Sequence, residues 1–245
     1  MQWKSETARS YADIGKQHHV SILRPVIVEL LGPLAGQRVL DFGCGPGRLS
    51  AVLAEEGARE VVAVDNSPEM IRRSRELAGS LDPSVRDRIV VERGDEKTLG
   101  RLGSFDAALS SLALMMSESV ERLHQISRAL VTAVRPNGRL IVVITHPCFR
   151  DCGYETFHYD LPRGFEYWTS GSPYRVVMTP QSEDVEEVAI TDYHWTLQDY
   201  FEALAGSGAA VSALRELPAT WCEDGTPNGP PAYLVLRIDR ADAES

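Results

Sequence analysis

An α/β fold, doubly wound around a mostly parallel sheet with helices on both faces, is predicted by three observations in this sequence of 245 residues. Short apolar runs alternate with helix-like segments through the first 145 residues. A glycine-rich turn joins the first of these runs to its helix. Asp41, Asp65 and Asp95 each stand with a separate apolar run, where a side chain meets whatever lies beyond the strand end. The length suits one α/β domain with a large core. Hydrophobic content of 43% and charged content of 24% are those of a globular chain and exclude disorder.

The elements follow in order. Trp3 to Leu31 carries apolar residues at helical spacing, Tyr11, Ile14, Val20, Leu23, Val26, Ile27 and Leu30, until Gly32-Pro33 breaks it. Val39, Leu40 and Phe42 form a strand, and Arg48 to Glu56 a helix with Leu49, Val52 and Leu53 on one face and Gly57 at its end. Val61 to Val64 is a second strand, and the helix after it has Ser67 as N-cap and Pro68 at its first position. Ile89 to Arg93 and Phe105 to Ser110 are the third and fourth strands. Ser119 to Val134 is an amphipathic helix stopped by Arg135-Pro136-Asn137-Gly138, and Arg139 to Thr145 is the fifth strand. After an insertion, Thr196 to Asp199 reads as a capping box opening a helix that ends at Gly206 to Gly208. Val211 to Leu217 and Tyr233 to Ile238 are the last two strands.

The turn Val39 to Ser50 carries the chemistry. Gly43, Gly45 and Gly47 are spaced G-x-G-x-G, whereas the dinucleotide fingerprint is G-x-G-x-x-G and sets a helix N-terminus on a pyrophosphate. Asp41, two residues before the first glycine, would repel phosphate and suits an ammonium or sulfonium. With these motifs in order, residues 38 to 145 resemble the class I S-adenosylmethionine-dependent methyltransferases. The resemblance implies a seven-stranded sheet closed by the C-terminal antiparallel pair, and S-adenosylmethionine as cofactor. It gives Asp65 the ribose diol, Asp95 in the turn Gly94-Asp95-Glu96 the adenine amine, and Asn66 and Met70 the border of the adenosine. Ser110, Ser111 and Leu112 are expected along the cofactor wall. In related enzymes an N-terminal segment closes over the cofactor, so Tyr11 either touches the methionine end, near Gln17, His18 and His19, or is a core aromatic. No Asn-Pro-Pro-Tyr-like tetrad follows the fourth strand, which argues against DNA-base and glutamine amino groups as acceptors.

One domain is expected, with a helical cap at 1–33, a cofactor-binding core at 34–145, an inserted lid at 146–195 and a C-terminal helix and strand pair at 196–240. Ten of the eighteen Phe, Trp and Tyr residues fall between Tyr154 and Tyr200, a density suited to stacking on a flat or apolar small molecule. Tyr154, Phe157, His158, Tyr159, Tyr167, Trp168 and Tyr193 are the candidate acceptor-binding residues, and packing onto the sheet or onto a second subunit is the alternative. Tyr174 to Met178 and Val185 to Tyr193 form a hairpin across the site or an edge for a homodimer. Asp151, Glu155, Asp160, Glu166 and Asp192 in the insertion favour a cationic or amine acceptor.

Methyl transfer needs in-line approach and, for a hydroxyl or protonated amine, removal of a proton. His146, directly after the fifth strand, and His194, just before the next helix, are the candidate bases, with Glu155, His158 and Tyr159 behind them. The net charge of −10 argues against nucleic-acid binding, which draws on Lys and Arg. No apolar run is long enough for a membrane span and no signal pattern opens the chain, so a cytoplasmic location is expected. Cys44, Cys148, Cys152 and Cys222 show no pairing signature. His146, Cys148, Cys152 and His158 lack the tight spacing of zinc ligands, so no metal is expected. The expectation is methyl transfer to an O, N or C atom of a small aromatic metabolite in specialised biosynthesis. A methyltransferase of tRNA or protein, and a non-catalytic S-adenosylmethionine-binding protein, are the alternatives.

Overall fold

The computed structural model describes residues 18–178, 187–206 and 208–241. The N-terminal half runs α1 (His18–Leu31), β1 (Arg38–Phe42), α2 (Arg48–Glu55), β2 (Glu60–Asp65), α3 (Pro68–Ser80), α4 (Pro83–Arg86), β3 (Ile89–Arg93) and α5 (Glu96–Leu99). It continues through β4 (Phe105–Ser111), a 3₁₀ turn (Leu114–Met116), α6 (Val120–Ala133) and β5 (Val134–Thr145). The rest comprises β6 (Phe157–Asp160), β7 (Pro173–Met178), β8 (Val188–Tyr193), α7 (Leu197–Ala205), β9 (Ala209–Trp221) and β10 (Pro227–Arg240).

Seven strands form one sheet in the order β3-β2-β1-β4-β5-β10-β9. The five strands from β3 to β5 are parallel, and β10 pairs antiparallel with both β5 and β9. The chain reverses its direction of winding between β1 and β4, so a crevice opens beyond the carboxyl ends of those two strands. Side-chain alternation along the strands builds a core on each face. Val39, Val61, Leu109 and Val143 pack with α1 and α2 on one side, while Leu40, Val62, Val142, Leu123, Leu130 and Tyr200 pack with α6 and α7 on the other. Both faces are covered, which is why these strands read as continuous apolar runs.

The helix ends have the expected chemistry. Ser67 Oγ accepts from Met70 N at 3.4 Å ahead of Pro68, and Thr196 and Asp199 cap α7 reciprocally. Other boundaries differ. β5 starts at Val134 rather than Arg139, because the Pro136–Gly138 turn, with Asn137 at φ 60°, stays within an irregular β4–β5 pairing. β9 and β10 extend well beyond the predicted cores as a long, half-exposed hairpin.

The insertion forms its own antiparallel sheet, β6-β7-β8. β7 and β8 are the anticipated hairpin, and β6 is an additional four-residue strand. Phe157, Tyr174, Val176, Met178 and Val188 bury against the α1 face of the main sheet. Val185, Tyr11 and Gln17 lie outside the described residues. Among those described, no helix is long and apolar enough to cross a membrane.

Candidate active site

The crevice is a cleft of about 440 Å³ walled by the glycine turn, the ends of β2 and β4, and the start of α5. Gly43, Gly45 and Gly47 have φ of 70°, 53° and 85°, a region in which only glycine is unstrained. Each has a different task. A Cβ on Gly43 would lie 2.7 Å from Ala113 Cβ, so this glycine lets the turn pack on the segment after β4. A Cβ on Gly45 would meet no protein atom within 4 Å, so it would project into the space a ligand's closest approach requires. A Cβ on Gly47 would strike Ser74, so this glycine packs α2 on α3.

Two acids support the turn from beneath. Asp65 accepts from Gly45 N at 3.0 Å through Oδ2 and from Ser67 N at 2.8 Å through Oδ1, tying the glycine turn to α3. Burial raises its pKa, opposed by these backbone bonds. Asp41 is 1% exposed and accepts from Ser50 Oγ at 2.5 Å. It lies below the turn and not in the cleft wall, and burial pushes its carboxyl up to about 6. Asp41 is thus not among the residues that line the cleft, and its carboxylate is engaged by Ser50 at the start of α2.

Nine of the thirteen predicted cofactor residues share the cleft: Gly43, Gly45, Asp65, Asn66, Met70, Gly94, Asp95, Glu96 and Leu112. Gly47 and Asp41 lie behind it, and Tyr11 is outside the described residues. Ser110 is fully buried, and of the expected wall residues along β4 and after it Ser111 and Leu112 line the cleft. Asp95 is the N-cap of α5, accepting from Lys97 N at 3.1 Å. Glu96 is buried in a two-pronged ion pair with Arg122 of α6, Oε2 to Nη2 2.6 Å. Arg122, Glu118, Met116 and Ala113 in the wall were not anticipated, because they come from a connection and a helix that carry no cofactor motif. Leu112 stands out with φ 54°, a left-handed conformation rare for a branched side chain. It is anchored by Leu112 N donating to Val143 O at 2.9 Å.

A second, smaller chamber of about 40 Å³ adjoins the cleft through Leu112 and Met116. Its other walls are Met115, Thr145, Phe157, Val176, Met178, Ile190, Asp192 and Tyr233, so the insertion supplies one side of it. Of the predicted acceptor residues only Phe157 lines it. Tyr154 donates to Pro231 O at 2.9 Å, Tyr167 Oη accepts from Leu197 N at 2.9 Å, and Tyr159 lies under the Arg150 guanidinium. These rings, with Tyr193 packed on the α7 side, hold the insertion together, while His158 and Trp168 face solvent.

The histidines are engaged elsewhere. His146 is buried, with Nδ1 accepting from Cys148 N at 3.2 Å and Nε2 2.9 Å from Glu216 Oε1. His194 donates from Nε2 to Tyr167 O at 2.6 Å. Burial lowers the pKa of both rings, and neither lines the cleft or the chamber. The backbone position after a strand does not specify where the ring turns. Cys44 is buried in the glycine turn, and burial pushes its thiol up, so it stays protonated. Among the described residues no three metal-ligating side chains converge.

Comparison with known proteins adds the deciding observation. Residues 39–138, which hold the cleft's glycine turn and acids, match the family described as a methyltransferase domain. The chain is also 26% identical to an S-adenosylmethionine-dependent methyltransferase from Mesorhizobium loti, with a TM-score of 0.60 over 88% of this chain and 96% of that one. Over residues 39–138 in sequence, and in its fold, this chain is similar to the S-adenosylmethionine-dependent methyltransferases. The chain is 29% identical over 201 residues to the N-demethylindolmycin N-methyltransferase of Streptomyces griseus, covering 81% of this chain and 79% of that one. It is 36% identical over 131 residues to a ubiquinone biosynthesis O-methyltransferase of Xanthomonas oryzae, about half of each chain. The cleft fits the cofactor: its glycine turn leaves open space where a Cβ would project, and the Asp65 and Asp95 carboxylates in its wall are acceptors suited to hydroxyl and amine donors of a nucleoside.

Proposed function

We propose that this methyltransferase acts on an O, N or C atom of a small molecule with an apolar or aromatic body, received in the chamber beyond Leu112. The observation that carries this reading is that chamber, mostly apolar and lined on one side by the insertion, meeting the cofactor cleft at Leu112 and Met116. The net charge of −10 argues against an RNA backbone. Both curated relatives are named for small-molecule acceptors, one at nitrogen and one at oxygen, which supports the class and leaves the atom open.

Bound S-adenosylmethionine supplies an electrophilic methyl group on a sulfonium. The protein's part is positioning. Asp65 holds Gly45 and α3 in register and offers its remaining acceptor capacity to the ribose, with Asn66, Met70 and Asp95 bordering the adenosine. Leu112, held in its strained conformation, and Met116 form the apolar boundary across which acceptor and cofactor meet. Phe157, Val176, Met178 and Ile190 of the insertion line the far side of that boundary and would hold the acceptor in line with the methyl group. His146 and His194 orient the insertion against the sheet in this reading.

Incubation with methyl-labelled S-adenosylmethionine and either a panel of small aromatic amines and phenols, or bulk tRNA and protein, tests it. Label is expected in the small-molecule fraction, and label found only in tRNA or protein would overturn the reading. Calorimetry should show binding of S-adenosylmethionine and none of NADH.

A further inference from the structure

Asp192 lines the chamber and has no part in the cofactor site. The residue is 2% exposed on β8, and its Oδ1 has no hydrogen-bond partner. A buried carboxylate without a donor is costly, and natural cores rarely keep one without a use. The ready explanation is a counter-charge for Arg150, the buried guanidinium nearby. Arg150 donates to Thr145 Oγ1 and to Thr145 O, the latter at 3.2 Å, and lies over the rings of Tyr159 and Tyr174 at 5.0 and 4.7 Å, while its Nε has no hydrogen-bond partner. Among the described residues no ion pair joins it to Asp192. The guanidinium stabilises the carboxylate through the field, and Asp192 is the one acid among the described residues of the chamber lining.

Resting on the reading above, we infer that Asp192 is the acceptor-recognition group and that the acceptor is a primary or secondary amine on an apolar body, its nitrogen paired with Oδ1. The surroundings select for this chemistry. Phe157, Tyr233, Leu112 and the thioethers of Met116 and Met178 offer no competing charge and adapt in shape to the apolar body. A phosphate or carboxylate would meet like charge, whereas an ammonium gains a charge-assisted bond in a dry site. Burial pushes the Asp192 carboxyl up to about 7, opposed by Arg150. The carboxylate can therefore take a proton from the ammonium: the N–H bond breaks, its electron pair stays on nitrogen as the nucleophilic lone pair, and the proton resides on Oδ1 until solvent removes it.

The test uses 2-phenylethylamine and its neutral analogue 2-phenylethanol, titrated calorimetrically into the full chain saturated with S-adenosylhomocysteine. The amine is expected to bind at least tenfold more tightly than the alcohol, with the preference lost in Asp192→Asn and S-adenosylhomocysteine affinity unchanged. Equal affinities on the unaltered protein, no binding of the amine, or a preference that survives in Asp192→Asn would overturn the inference. The comparison on the unaltered protein stands even if the variant does not fold. Failure of the cofactor-site reading is distinguishable, because S-adenosylhomocysteine itself would not bind.

Discussion

Gly45→Ala and Gly36→Ala impose the same backbone cost in two different places. Both glycines have left-handed φ, 53° and 75°, and at neither would a Cβ come within 4 Å of a protein atom. Placing an L residue there costs about 1–2 kcal/mol. For a chain of this size that corresponds to a fall in melting temperature of roughly 2–8 °C in each variant. The difference is what the added methyl faces. At Gly36 it points away from the cleft, whereas at Gly45 it enters the cleft beside Asp65. Affinity for S-adenosylhomocysteine should thus be unchanged in Gly36→Ala and fall at least tenfold in Gly45→Ala, about 1.4 kcal/mol. Thermal denaturation followed by circular dichroism reads the first effect and calorimetry the second. Wild-type affinity in Gly45→Ala, or an equal loss in Gly36→Ala, would refute the assignment of the glycine turn as the ligand's closest contact.

Asp65→Ala should weaken S-adenosylhomocysteine binding by about 1–3 kcal/mol, because the ribose acceptor and the bond that orders Gly45 go together; calorimetry reads the loss. Arg122→Ala leaves the Glu96 carboxylate without its ion-pair partner at the cleft and should lower stability by about 1–3 kcal/mol, the cost of leaving a hydrogen-bonded group unsatisfied, read by urea denaturation. His194→Ala strips Tyr167 O of its donor, so stability should fall by about 1–3 kcal/mol while cofactor affinity is retained. For Asp41 the folded pKa of about 6 lies above the unfolded value near 3.8, so its burial penalty is absent below pH 4 and grows as pH rises to about 6. The penalty amounts to about 3 kcal/mol at most. Asp41→Asn should therefore melt higher than wild type at pH 8 and lose that advantage near pH 4, which melting curves across pH would check.

The parallel core was legible because its signals are local. Apolar runs buried on both faces, Ser67-Pro68 ahead of α3 and the Thr196–Asp199 box are each dictated by a few neighbouring residues. The glycine turn was equally legible, since three left-handed positions allow few alternatives. Direction was harder to read. Asp41 and Ser110 sit where the sequence places them, but strand alternation sends one beneath the turn and buries the other. The ring of His146 turns toward Glu216 on β9, a contact between residues 70 positions apart that no local pattern announces. In the insertion, aromatic density marked a compact structure without separating rings that line a cavity from rings that bind Arg150, Pro231 or Leu197. β6, four residues long, is too short for its alternation to register.

The central claim, that the cofactor lies along Gly43, Gly45, Asp65 and Asp95 with its reactive end toward Leu112, is tested most directly by a crystal structure with S-adenosylhomocysteine. The account predicts difference density for the nucleoside beside Asp65 and Asp95 and for the thioether facing Leu112 and Met116. Density elsewhere, or an empty cleft at saturating ligand, would contradict it.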